Sequence, residues 1–161
     1  MEKKPIKRNE NIAKLSRDHH ASLMFCWKLR QGIKQHISQE RMVNYVKYFL
    51  DSHMEHHFNE EEEILFQPLQ DDKVQKAKSD HVEILRLIKA VLVSDKEDLG
   101  DELARLADLV DAHVRYEERI LFPHLEQNLT ELQLENIGLK ISDEPLKDLY
   151  EDEFWVRSKS L

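Results

Sequence analysis

Apolar residues recur along this chain at alternating steps of three and four, which is the period of an α-helix and not of a strand. Four segments carry the pattern. In the first the stripe runs Ile12, Leu15, His19, Ser22, Cys26, Leu29, Ile33, and in the second Val43, Val46, Leu50, His53, His57, Glu61, Ile64. The third reads Val74, Ala77, His81, Ile84, Ile88, Val91, and the fourth Leu103, Leu106, Val110, His113, Glu117, Ile120. Polar residues of metal-ligand type interrupt every stripe.

Breaks separate the segments. Ser38 is placed to cap the second helix, Pro68 with Asp71 and Asp72 precedes the third, and residues 95–100 divide the third from the fourth. Short connections make neighbouring helices antiparallel, so the expected fold is all-α, an antiparallel up-down-up-down four-helix bundle with a short helical C-terminal extension. The bundle is expected over residues 1–128, with Pro123 ending or kinking its last helix. Residues 129–161 form the extension, whose Phe154 and Trp155 are expected to cover an apolar edge.

Composition agrees with a helical domain. Three glycines and four prolines in 161 residues leave few interruptions, and 35% of the chain is charged. The formal net charge of -8 argues against nucleic acid as a partner. Lys3, Lys4, Lys7 and Arg8 read as a solvated tail. The single cysteine, Cys26, permits no internal disulfide and reads as a small hydrophobe in a reducing compartment. No apolar run reaches membrane-spanning length and no signal-peptide core is present, so a cytoplasmic location away from membranes is expected.

One motif occurs twice: His57 stands four residues before Glu61, and His113 four before Glu117, each continuing into Ile-Leu-Phe. That spacing stacks imidazole over carboxylate on one helix face. Imidazole with carboxylate suits iron, manganese or zinc, and the repetition points to two metals. Helical rise converts sequence distance into height, so residues level with one another in antiparallel helices have the connecting turn midway between them. The midpoints between His19, the His57–Glu61 pair, His81 and the His113–Glu117 pair fall at about residues 39, 70 and 98 by that rule. Each lies at an expected turn. His19, His57, Glu61, His81, His113 and Glu117 therefore form one constellation at one level, and burying them together costs several kcal/mol unless a cation or a hydrogen-bond network compensates.

The order His, His-x-x-x-Glu, His, His-x-x-x-Glu on four successive helices resembles the hemerythrin-like cation-binding family over roughly residues 10–128. The resemblance implies an antiparallel four-helix bundle holding two non-haem iron ions. It makes His19, His57, His81 and His113 terminal ligands and Glu61 and Glu117 bridging carboxylates. Oxygen carriers of the family use a second histidine on the third helix and an aspartate one position further along the fourth. Here Ala77 and Leu85 flank His81 by one turn, which leaves a coordination position open. The pattern is similar to the branch that includes iron-sulfur repair proteins of nitrosative stress, whose cysteine-bearing N-terminal domain has no counterpart in this sequence.

Alternatives stand beside several ligands. His20 competes with His19 on the first helix, where the stripe favours His19, and Glu118 competes with Glu117. His53 is a fifth ligand, a proton relay or a hydrogen-bonded histidine of the pocket, the last being favoured. His56 and His124 are expected to face away or toward the bundle end. Glu60, Glu62 and Glu63 read as a solvated acidic face, and Phe25, Trp27, Tyr48, Phe49, Phe58, Phe66, Tyr116 and Phe122 mostly as core. The expected function is a di-iron binding protein taking dioxygen or nitric oxide in sensing, scavenging or redox stress response. The alternative is a redox enzyme that reduces peroxide or nitric oxide or repairs iron-sulfur clusters. A third reading makes the metals a structural staple.

Overall fold

Apart from short turns and the C-terminal segment, the computed structural model, which describes residues 7–142, 144 and 147–157, is helical throughout, as the periodicity predicts. Helix α1 spans Ala13–Lys34. Next comes α2, Gln39–Phe49, which passes through a π-helical turn at Leu50–Met54 into α3, Glu55–Glu60, and ends in a second π turn at Glu61–Leu65. Helix α4 covers Asp72–Val93. Helix α5, Gly100–Tyr116, runs through a third π turn at Glu117–Leu121 into α6, Phe122–Asn128, and α7 follows at Glu131–Lys140.

The π turns explain where the apolar stripe departs from expectation. Ile64 and Ile120 were placed inward by the sequence pattern, but the structure buries Leu65 and Leu121 fully and leaves Ile120 46% exposed. From Phe49 through His53, His57 and Glu61 to Leu65 the buried residues advance by four each time. An α-helix drifts about 40° with every such step, and a π turn, carrying one extra residue, cancels the drift. Two π turns in this stretch keep all five residues facing inward. The third does the same for His113, Glu117, Leu121 and Leu125.

It also lets the chain pass Pro123, which was expected to end or kink the fourth helix. Helix α6 instead continues to Asn128. The Phe122 amide donates to Glu117 O, five residues back. Pro123 has no such donor to give to the Glu118 carbonyl, and the Arg8 guanidinium bonds that oxygen at 2.9 Å instead. Arg8 also pairs with Glu126 at 2.6 Å, so it is anchored and does not belong to a solvated tail. Lys3 and Lys4 lie outside the described residues.

Helix ends follow local chemistry. The Asp71 carboxylate caps α4 by accepting from the Val74 amide at 3.1 Å. Thr130 and Gln133 form a reciprocal capping box at the start of α7. Ser38 stands at the N-terminus of α2 but makes no side-chain cap, contrary to expectation. The Gln39 amide instead ties this end to the loop before α5, donating to Lys96 O at 2.8 Å and accepting from the Leu99 amide. At the end of α1, His36 adopts a left-handed φ of 55°, and the Ile37 amide closes back on Gly32 O at 2.9 Å.

Two apolar clusters fill the interior. One contains Phe25, Leu29, Val46, Phe49, Ile84, Ile88, Leu103 and Val110, and the other Ile12, Leu15, Leu65, Phe66, Val74, Leu121, Phe122 and Leu125. The polar interruptions of the stripes lie between them. Leu134, Ile137 and Ile141 join the second cluster and Phe154 the first. Cys26 is buried, and burial pushes its thiol up to about 12, the behaviour of a small hydrophobe. Trp27, expected in the core, is 45% exposed. A side chain at Gly32 would approach Met42 Sδ to 2.7 Å and Phe154 Cε2 to 3.0 Å, so glycine permits this contact between α1, α2 and the C-terminal segment. Phe154→Ala is expected to lower stability by about 3–5 kcal/mol, read as a fall in the urea midpoint.

Among the described residues no helix is long and apolar enough to cross a membrane.

Candidate metal centre

All six residues of the expected constellation meet between the two apolar clusters. His19 comes from α1, His57 from α3, His81 from α4 and His113 from α5, while Glu61 and Glu117 are the first residues of the second and third π turns. Each is at most 3% exposed. They form two groups, His19, His57, Glu61 and Glu117 on one side and Glu61, His81, His113 and Glu117 on the other, with the ligand-type atoms of each group all within 4.8 Å of one another. Both glutamates belong to both groups.

The nitrogens that converge are the Nε2 atoms. Glu117 Oε1 lies 3.0 Å from His19 Nε2 and 3.1 Å from His113 Nε2. Glu61 Oε1 lies 3.1 Å from His81 Nε2 and 3.5 Å from His57 Nε2, and the Nε2 atoms of His81 and His113 are 3.1 Å apart. Aromatic rings wall the centre, Phe58 stacking on His81 at 3.8 Å and Phe122 on His19 at 5.2 Å.

His20 is exposed and belongs to neither group, whereas His19 is buried and belongs to one. His53 joins neither group; its ring stacks on His57 at 5.7 Å and its buried Nε2 makes no hydrogen bond among the described residues. His53, His57 and Asp18 line a cleft of about 580 Å³ that reaches the His57 edge of the centre. His56 and His124 face away, as expected, pairing with Glu60 and Asp71. Glu118 lies outside the centre and contacts His19 Nδ1 at 2.9 Å.

Three acidic residues that were not among the expected site residues contact its histidines. Asp18 contacts His57 Nδ1 at 3.4 Å, Glu62 contacts His81 Nδ1 at 2.8 Å, and Asp80 contacts His113 Nδ1 at 3.0 Å. Glu62 and Glu60 were expected on a solvated face. Glu62 is instead committed to His81, and Glu60 is buried and paired with Lys14 at 2.8 Å, leaving only Glu63 of the three exposed. Their signal in the sequence is slight: Asp18, Glu62 and Asp80 are each the immediate neighbour of a centre residue.

Electrostatics make this a site for positive charge. Burial and the neighbouring Glu117 push the Glu61 carboxyl well above its ordinary range, whereas Glu117, despite the same burial, is held well below it by His113 and His19. Burial opposes charge on His19 and His113, yet the carboxylates around them overcome it and raise both to about 9. His57 is pushed down to about 4 by burial. Burial works against charge on Asp18, Asp80 and Glu118 as well, but their histidine hydrogen bonds hold all three carboxyls low.

A cation fits the donor set. Both oxygens of Glu61, Glu117 Oε2 and His57 Nε2 are buried and make no hydrogen bond among the described residues. Such atoms cost about 1–3 kcal/mol each when left unmatched. Each group offers two imidazole nitrogens and two carboxylates, the mixture favoured by iron, manganese and zinc. A cation entering here displaces protons from Glu61, His19 and His113. Uptake at pH 7 is therefore expected to release protons, detectable with an indicator dye in weak buffer, and affinity to rise with pH up to about 9, where His19 and His113 lose their protons unaided.

A family model described as the hemerythrin HHE cation binding domain matches residues 10–125. Neither the curated proteins nor the solved structures contain a match to the chain.

Proposed function

The chain belongs to the hemerythrin HHE cation-binding family, and we propose that its centre holds two non-haem iron ions and takes a small diatomic ligand, dioxygen or nitric oxide. His19 and His57 hold one ion, His81 and His113 the other, and Glu61 and Glu117 are shared. The observation that carries this reading is the membership of both glutamates in both four-residue groups, with three of their four carboxylate oxygens making no hydrogen bond among the described residues. Iron, when bound, supplies reversible one-electron redox chemistry and affinity for diatomic gases.

The chain's own residues set the terms of that chemistry. Phe58, Phe66 and Phe122 pack on the histidines and exclude bulk water, which favours a small neutral gas over a large polar substrate. The cleft at His53 and His57 gives such a ligand a route inward. Ala77, fully buried one turn before His81, offers no donor where oxygen carriers of the family place a histidine. An exchangeable position suits sensing, scavenging or a redox stress response in the cytoplasm better than storage. We assign the cation-binding domain to residues 1–128 and an extension to residues 129–161, of which Leu134, Ile137, Ile141 and Phe154 join the apolar clusters.

The polar lining of the same cleft, with His53, His56 and Asp18, supports a second reading as a redox enzyme that reduces peroxide or nitric oxide. Steady-state consumption of either substrate would favour it. Stopped-flow absorption of the anaerobically reduced, iron-loaded protein tests ligand binding itself. A rapid spectral change with oxygen or nitric oxide, followed by oxidation, is expected. A change that persists for hours and reverses under vacuum would favour a carrier, and no reaction with either gas would leave the metals as a structural staple.

A further inference from the structure

Asp18, Glu62, Asp80 and Glu118 follow one rule. Each is the sequence neighbour of a centre residue, and each reaches the Nδ1 of a histidine on a different helix. Asp18 on α1 contacts His57, Glu62 beside Glu61 contacts His81, Asp80 on α4 contacts His113, and Glu118 beside Glu117 contacts His19 back on α1. The circuit closes. The acidic residue precedes the centre residue on α1 and α4 and follows it on the other two segments. Adjacent residues stand about 100° apart around a helix, so in a bundle of alternating chain direction this alternation turns all four carboxylates the same way round.

We propose that these four carboxylates form a closed positioning ring, each fixing the orientation and tautomer of one histidine so that Nε2 is the atom presented to a cation. The proposal rests on the reading of the four histidines as metal ligands. A neutral imidazole carries one N–H, and a carboxylate beside Nδ1 keeps the proton there and the Nε2 lone pair free. Without that acceptor the ring is free to rotate and the proton to change sites. Because each bond crosses between helices, the ring also sets the positions of the ligands relative to one another. Lys14 and Lys76, each 2.9 Å from their carboxylates, and Arg8 at 3.5 Å hold Asp18, Asp80 and Glu118 from outside. At 3.4 Å from its histidine, against 2.8–3.0 Å for the other three, Asp18 is the weakest link.

Glu62 and Asp80 give the cleanest test, since both side chains reach solvent and their removal leaves the apolar clusters intact. Anaerobic titration of the full chain with cobalt(II) against a competing chelator should show affinity falling about 10- to 100-fold in Glu62→Ala and Asp80→Ala. Glu62→Gln and Asp80→Asn should recover most of it, because an amide oxygen accepts the same bond. In the zinc(II)-loaded protein labelled with ¹⁵N-histidine, all four rings should show a protected Nδ1–H, and Asp80→Ala should lose protection at His113 alone. Wild-type affinity in both alanine variants, or a histidine bound through Nδ1, would overturn the ring alone. Failure of the wild type to bind cobalt(II) would overturn the ligand assignment and the ring with it.

Discussion

Glu61→Ala and Glu117→Ala are each expected to abolish binding of both cations, whereas His113→Ala should lose one and retain the other. The difference follows from the shared carboxylates. Each glutamate belongs to both four-residue groups, so its removal takes an oxygen donor from both positions and leaves the remaining carboxylate unable to bridge alone. His113 belongs to one group only, and the His19–His57 side keeps its full donor set without it. Helicity should persist in all three variants, because the apolar clusters on either side of the centre do not depend on it. Stoichiometric metal titration with circular dichroism reads both effects. Retention of both cations in Glu117→Ala would remove that residue from the centre, and full loss in His113→Ala would show that the two positions fill only together.

Loading the centre is expected to raise thermal stability more than any surface substitution would. A ligand bound only by the folded state stabilises it by about 4 kcal/mol at a thousandfold excess over Kd. For a chain of this size each kcal/mol moves Tm by about 2–4 °C. One filled position should thus raise Tm by about 10 °C, and a second should add to it. The cations would satisfy buried atoms that make no hydrogen bond among the described residues: both oxygens of Glu61, Oε2 of Glu117 and Nε2 of His57. Thermal unfolding with ferrous iron under anaerobic conditions, and again after a chelator, measures it. An unchanged Tm would mean that the cluster is balanced by its own hydrogen bonds.

Much of this centre was legible in the sequence because a bundle converts spacing into height. His19, His57, His81 and His113 fall level once the turns are placed, and those turns sit at residues 35–38, 66–71 and 94–99, beside or on the expected midpoints. The choice of His19 over His20 followed from the same stripe. What periodicity missed is what breaks it. The repeated steps of four through Phe49, His53, His57, Glu61 and Leu65 were visible, but a fixed helical period hides their consequence: Ile120, placed inward, is half exposed, and Ile64 only packs partly buried against the second cluster. A π turn has no propensity signature of its own; it shows only as a run of fours too long for an α-helix to keep on one face.

The acidic neighbours were missed for another reason. Glu62 lies in a run of four glutamates, from Glu60 to Glu63; beside the ligand-type Glu61 the other three look like a solvated surface, and nothing local separates Glu60 and Glu62, which pair inward, from Glu63, which does not. Their roles depend on which histidine the next helix presents. Arg8 escaped for the same cause, since its partners Glu118 and Glu126 lie more than a hundred residues away. The alternation that defines the carboxylate ring becomes visible only when chain direction and ligand height are known together.

The most direct measurement is the iron content of the full chain after anaerobic reconstitution with ferrous iron and removal of excess metal. Six donors with two shared carboxylates predict about two iron ions per chain. One zinc per chain and no iron would contradict the di-iron centre.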